Sequence, residues 1–240
     1  MRLRTMTETP ALELWAGLEC TINRVNDRLV DQLARTGAYA RDDIARFASL
    51  GIRSLRWPAL WERTAPDRSG APDWGWCDRT LPQIRDAGIE PIVGLMHHGS
   101  GPRWTNLLDA QFATGLAEYA RAFADRFPWV RRYTPVNEPL TTARFSALYG
   151  HWYPHERADR AFASALLNQC RATVLAFQAV RRVNPAAELV LTEDASSTRG
   201  TQPVAEQVTF EDERRWLSLD LLTGRVTSAH PLYDYLISEG

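Results

Sequence analysis

Tyr133-Thr134-Pro135-Val136-Asn137-Glu138-Pro139 is the stretch whose reading decides the fold. An apolar, β-branched run ends abruptly in an amide, a carboxyl and a proline. That pattern is expected where a buried parallel strand stops and hands polar side chains to a pocket, because proline steers the residue before it away from helical backbone. A carboxyl at such a strand end can give a proton to a departing sugar oxygen, while the amide beside it grips a neighbouring hydroxyl. The competing reading of Glu138 is a helix-starting carboxylate in a surface loop.

Working outward, short apolar runs alternate with longer amphipathic ones. Residues 12–18, 52–57, 89–96, 130–136 and 188–192 read as strands, and 41–50, 80–87, 112–127 and 160–183 as helices. The last two helical stretches space apolar residues at i, i+3, i+4 and i+7, as in Leu116, Tyr119, Ala120 and Phe123. Gly51 and Gly88 each precede a strand directly, where a left-handed cap is wanted. Strand–helix–strand alternation predicts βαβ units and a parallel sheet.

Trp15-Ala16-Gly17-Leu18-Glu19 lacks the glycine spacing that cradles a pyrophosphate, which disfavours a nucleotide-binding doubly wound fold. The α/β class expected is therefore a (β/α)8 TIM barrel. A complete barrel has eight strands, and five are found before residue 195, followed by a helical segment near 206–222. The expectation is an incomplete barrel of about the first five βα units, one domain over residues 1–240. Two strand edges and an apolar interior would then lie open, inviting self-association or completion by a further segment.

The charge balance is 28 basic against 29 acidic residues with no basic stripe, which argues against nucleic acid or an anionic membrane surface as partner. Cys20, Cys77 and Cys170 are odd in number and far apart, without metal-ligand spacing, as in a reducing compartment. Residues 1–10 carry two arginines but no apolar stretch of a secretory leader, and no run reaches membrane-spanning length. A cytoplasmic protein without metal or cofactor is expected. Nine tryptophans and seven tyrosines suit either core packing or stacking on sugar faces. His97 and His98 are adjacent on a strand, so at most one should enter the mouth; His151 and His155 supply no convincing third metal ligand.

Several motifs occur in a fixed order. Arg56-Trp57-Pro58-Ala59-Leu60-Trp61-Glu62-Arg63 with Pro66 matches Arg-x-Ser-x-x-Trp-x-Arg-x-x-Pro, with proline in place of serine. Pro91-Ile92-Val93-Gly94-Leu95-Met96-His97-His98 ends in histidine, Trp104 follows in the next loop, and Tyr149-Gly150-His151-Trp152-Tyr153-Pro154 follows the Asn-Glu-Pro strand. Together the chain resembles the N-terminal five-eighths of family 1 glycoside hydrolases, the β-glucosidase-like retaining barrels. The resemblance implies hydrolysis of O-glycosyl bonds in small-molecule glycosides. It makes Glu138 the general acid/base, Asn137 the ligand of the hydroxyl next to the reacting carbon, His97 and Trp104 further sugar contacts, and Arg56 a support beneath the site.

Where the family places a glutamine, this chain has Gly17-Leu18-Glu19-Cys20-Thr21-Ile22-Asn23, so Glu19 or Asn23 stands in. The family's nucleophile comes from a seventh strand, which these residues do not include. Thr192-Glu193-Asp194 is an internal candidate, with Glu193 either the second catalytic carboxylate or a loop cap. Two alternatives stay open: a non-catalytic carbohydrate-binding barrel, or the front of a bifunctional protein with a nucleotide-sugar reductase-like C-terminal part. The second is suggested by the segment from Glu211-Asp212-Glu213-Arg214-Arg215-Trp216 to His230-Pro231.

Overall fold

A computed structural model describes residues 12–40 and 42–240. The stretch read for a leader, residues 1–10, and Arg41, the first residue of the first helical pattern, lie outside the described residues. Among the described residues there are seven strands: β1 (Trp15–Gly17), β2 (Ile22–Val25), β3 (Arg28–Asp31), β4 (Ser54–Pro58), β5 (Glu90–Gly94), β6 (Arg132–Thr134) and β7 (Glu188–Leu189). Five form one parallel sheet in the order β1-β4-β5-β6-β7, and β2 pairs with β3 as a separate antiparallel hairpin. A five-stranded parallel sheet with helices between its strands is a partial barrel.

The two faces of the sheet differ because alternate side chains point opposite ways. Leu55, Trp57, Val93 and Tyr133 face the helices and are at most 4% exposed. Trp57 Nε1 donates to Thr80 Oγ1 at 2.8 Å on helix Gly75–Asp86, and Tyr133 packs edge-on against Phe123 at 6.0 Å. Helix Phe112–Arg126 turns Phe112, Leu116, Tyr119, Ala120 and Phe123 inward, and helix Asp159–Val183 packs beside it through Phe162, Leu166, Ala172 and Val180. Each large apolar side chain so buried stabilises the fold by roughly 1.5–3 kcal/mol.

The opposite face carries charge instead of the apolar layer expected. Arg132 Nη1 donates to Ser54 Oγ at 3.0 Å, Ser54 Oγ donates to Glu13 Oε1 at 2.7 Å, and Arg132 Nε pairs with Glu188 Oε2 at 3.1 Å. The Arg132 guanidinium lies 5.3 Å from the centre of the half-exposed Trp15 ring. The edges of β1 and β7 have no further strand partner among the described residues.

Gly51 and Gly88 adopt φ of 77° and 71°, as left-handed caps before β4 and β5. The expected first helix is shorter, Ile44–Ser49; the second starts earlier, at Gly75, whose amide the Asp73 side chain accepts at 2.9 Å. The segment expected near 206–222 divides into Ala205–Arg214 and Leu217–Leu222. No helix among the described residues is long and apolar enough to cross a membrane.

Candidate active site

The ladder between β5 and β6 continues past the strands. Asn137 N–H donates to the Met96 carbonyl at 3.0 Å, and His97 and Asn137 form a parallel bridge. Asn137 is thereby carried to the rim with its side chain 1% exposed. Its Oδ1 accepts from Arg56 Nη2 on β4 and from Thr192 Oγ1 at 3.0 Å. Its Nδ2 lies 3.4 Å from His97 Nε2 and 3.2 Å from His98 Nε2.

An amide nitrogen only donates, so His98 Nε2 accepts and that ring carries its proton on Nδ1. His98 Nδ1 is 3.1 Å from Thr142 Oγ1, whereas His97 has mixed neighbours on both sides: Nδ1 lies 3.3 Å from Cys20 Sγ and 3.5 Å from Arg56 Nη2, and Nε2 lies 3.5 Å from Glu19 Oε1. Both imidazoles are neutral. Burial, then the unfavourable coupling to a charge on His98 and to the Arg56 guanidinium, pulls the His97 pKa down to about 3. Burial also lowers His98, against the pull of Glu138 and Glu19 in the other direction. Cys20 stays a thiol, its pKa pushed up to about 12 by burial.

Both histidines enter the cluster, contrary to the strand rule that admits one. The β5 strand ends at Gly94, and His98 takes a left-handed φ of 55°, which turns its ring back beside His97 at 4.8 Å. Such a backbone costs about 1–3 kcal/mol and persists only where its surroundings fix it.

Glu138 also has left-handed backbone, φ 47° and ψ 66°, immediately before the short helix Pro139–Ala143. Its carbonyl starts that helix by accepting from Thr142 N–H at 3.0 Å, which leaves the carboxyl free. The side chain is 28% exposed and places Oε2 3.7 Å from His98 Nε2. Glu19, 60% exposed, holds Oε1 3.5 Å from His97 Nε2 and accepts from Thr21 Oγ1 at 2.6 Å. Arg56, His97, Asn137, Glu138 and Glu19 thus share one cluster, and Cys20, His98, Thr142 and Thr192 complete it.

Three residues read from sequence stand elsewhere or do something else. Trp104 packs edge-on against Trp61 at 5.4 Å and lies under the Arg68 guanidinium, so it is not brought to this cluster. Asn23 pairs with Val30 inside the hairpin and lines a separate cavity of 450 Å³. Glu193 is engaged as an anchor: Oε1 accepts Leu140 N–H at 2.7 Å and Ser218 Oγ–H at 2.8 Å, while Oε2 accepts Asp194 N–H at 3.3 Å. Burial raises its pKa to about 7, to which the charge of Glu138 adds. A carboxylate held by three donors is a weak nucleophile, and its visible task is to hold the helix that begins after Glu138.

A 640 Å³ cavity beside Tyr39, Arg63 and Trp76 involves none of the clustered residues. The hairpin is tied to the loop around Tyr153, whose N–H donates to the Arg24 carbonyl at 2.8 Å and whose ring lies under the Arg24 guanidinium.

No protein-family model matches the chain. It is 27% identical over 152 residues to Beta-glucosidase A of Thermotoga maritima, covering 59% of this chain and 33% of that protein. It is 30% identical over 128 residues to Beta-glucosidase 34 of Oryza sativa subsp. japonica, covering 49% of this chain and 24% of that protein. Among solved structures, a family 1 glycoside hydrolase of Thermotoga maritima complexed with a cyclophellitol analogue transition-state mimic superposes with TM-score 0.68 at 18% identity, covering 85% of this chain and 53% of that one. The AHE enzyme of Alicyclobacillus herbarius gives TM-score 0.68 at 23% identity, covering 86% and 48%. The chain therefore spans a third or less of these curated relatives and about half of these solved barrels. Over that part, its relatives in sequence and in structure include family 1 β-glucosidases, and its sheet is a portion of their barrel.

Proposed function

We propose that this chain forms the acid/base part of a retaining β-glycosidase site acting on small-molecule O-glycosides. The observation that carries the reading is the Asn137-Glu138 pair. The amide is locked by Arg56 and Thr192, and the adjacent carboxyl is left free at the rim beside a neutral imidazole. Glu138 protonates the glycosidic oxygen as a second carboxylate attacks the anomeric carbon. It then takes a proton from the water that hydrolyses the glycosyl intermediate. Glu19 holds a sugar hydroxyl at the rim, Asn137 and His97 each turn to a hydroxyl in exchange for their weak 3.4 Å contact with one another, and Arg56 orients Asn137.

With Glu193 held by three donors, we assign the attacking carboxylate to a segment outside the five strands. The open edges of β1 and β7 take up that segment or a second copy of the chain. Three buried free cysteines support a reducing, cytoplasmic setting.

The test has two arms. The chain is titrated calorimetrically with deoxynojirimycin, and nitrophenol release from aryl β-glycosides is measured for wild type and Glu138→Gln. The expected results are binding by the wild type and, where turnover occurs, a loss of about 10²–10⁴-fold in the variant. Equal release by both proteins, or no release together with no binding, overturns the reading.

A further inference from the structure

The loop that follows the two histidines, residues 99–101, is held from beneath by a carboxyl that the cluster above does not use. Glu62 sits in the single turn Trp61–Thr64 after β4 and is 3% exposed. Its Oε1 accepts Gly101 N–H at 3.2 Å. Gly99 approaches so closely that a Cβ there would come within 1.8 Å of Glu62 Oε1 and 2.9 Å of the Ile22 carbonyl on β2. One carboxyl thus stands where the turn after β4, the hairpin and the histidine loop meet. The turn is itself tied to the residue that follows β5, Trp61 N–H donating to the Leu95 carbonyl at 2.8 Å.

A buried carboxyl without a cation is costly. No cation pairs with Glu62 among the described residues, and its Oε2 has no hydrogen-bond partner. Burial raises its pKa to about 7, so the neutral acid is the form held below neutrality. What its position achieves is visible in the chain order: His98, with its left-handed φ of 55°, directly precedes Gly99. A non-glycine residue stays in that conformation only when the peptides flanking it are fixed.

We propose that Glu62 is a positioning residue of the glycosidase site: by fixing Gly99 and Gly101 it sets the backbone of His98, and through that ring the Asn137 amide and the Glu138 carboxyl. Its link to catalysis rests on the glycosidase reading above; its hold on the histidine loop does not.

The experiment follows the imidazole proton signals of the ligand-free chain by NMR, where five histidines give a tractable spectrum. Glu62→Gln keeps an acceptor and the shape of the neutral acid. It is expected to leave the His97 and His98 signals and the exchange protection of the Gly101 amide unchanged. Glu62→Ala is expected to shift both signals and to lower Gly101 protection about tenfold, with the His230 signal and the far-ultraviolet dichroism unmoved. Affinity for deoxynojirimycin should fall with Ala and recover with Gln. Should Glu62→Ala not fold, Glu62→Asp, which withdraws the carboxyl from Gly101, is expected to give the same shifts. Unchanged histidine signals in Ala or Asp, or equal disturbance by Gln and Ala, overturn the proposal. If the histidines respond as expected while the wild type binds no deoxynojirimycin, Glu62 keeps its hold on the loop and the sugar reading alone fails.

Discussion

The guanidinium of Arg56 reaches across β5 to donate to the amide oxygen of Asn137, so a residue of β4 fixes one that lies two strands away. That one bond sets which way the amide points. It presents Nδ2 to the two imidazoles and dictates the tautomer of His98. Asn137→Ala removes the acceptor shared by Arg56 and Thr192 in a buried place. The expected cost is about 1–3 kcal/mol, read from the midpoint of chemical denaturation. A midpoint within error of the wild type would mean that water replaces the amide without penalty.

Gly99 leads to a steric prediction. A methyl at this position overlaps Glu62 Oε1, so Gly99→Ala should destabilise the chain by about 1–3 kcal/mol, as overpacking does. Trimming the opposing side chain in Gly99→Ala/Glu62→Ala should return part of that loss. The double-mutant cycle is expected to give a coupling of about 0.5–3 kcal/mol. Strict additivity of the two changes would show that they do not meet.

Glu62 also gives a pH signature of defined sign. Its folded pKa is raised from 4.5 to about 7 by burial, so between those values the folded chain holds a proton that the unfolded chain has lost. The stability tied to this group is fully present below 4.5 and is lost as pH rises through 7. Cys20 and Tyr119, the groups coupled to it electrostatically, remain protonated throughout, since burial pushes the first to about 12 and the second well above its ordinary value. Glu62→Gln abolishes the titration. Wild type and variant should melt alike near pH 5, with the variant melting higher at pH 8 by up to roughly 3 kcal/mol of stability. Calorimetry at the two pH values checks this, and a pH-independent difference in melting temperature would refute it.

Glu193 is predicted to act on structure before chemistry. Glu193→Ala leaves Leu140 N–H and Ser218 Oγ–H without their acceptor and should cost about 1–2 kcal/mol. Glu193→Gln keeps one acceptor and should cost clearly less. If Gln instead abolished glycoside turnover while melting like the wild type, Glu193 would be a reacting carboxylate after all.

The long helices were legible because their periodicity extends over many turns: 112–127 and 160–183 correspond to Phe112–Arg126 and Asp159–Val183. The strands were placed but drawn too long, since apolar character continues after pairing stops, as at 130–136 around Arg132–Thr134. The hairpin of β2 and β3 was missed because Asn23, Arg24, Arg28 and Asp31 hide its alternation; the Asn26-Asp27 turn, with φ of 47° and 62°, was the readable signal. The second histidine was misplaced because a rule for continuous strands was carried past the last paired residue of β5. The inner face reads as apolar in the sequence because register is not visible there: Arg132 falls level with Glu188 on one side and with Ile92 and Arg56 on the other, and its guanidinium reaches across to Ser54.

The open edges predict association. Leu14 and Trp15 are 54% and 47% exposed at the β1 edge. Light scattering should report species heavier than the 27.2 kDa chain, shifted toward that mass by charge introduced at Leu14 or Trp15. A sharp monomer peak at high concentration would count against strand completion.

The sheet's spatial order, β1-β4-β5-β6-β7, is also its order along the chain. A ribosome making this protein lays each strand beside a neighbour already synthesised, so the sheet can grow from one edge without waiting for distant sequence. Asn137 and Thr192 are 55 residues apart, so at about 5–20 residues per second the amide is made roughly 3 to 11 s before the hydroxyl that completes its grip. The bond that locks the Asn137 amide therefore cannot close until the fifth strand of the sheet has been made, however early the first four are in place.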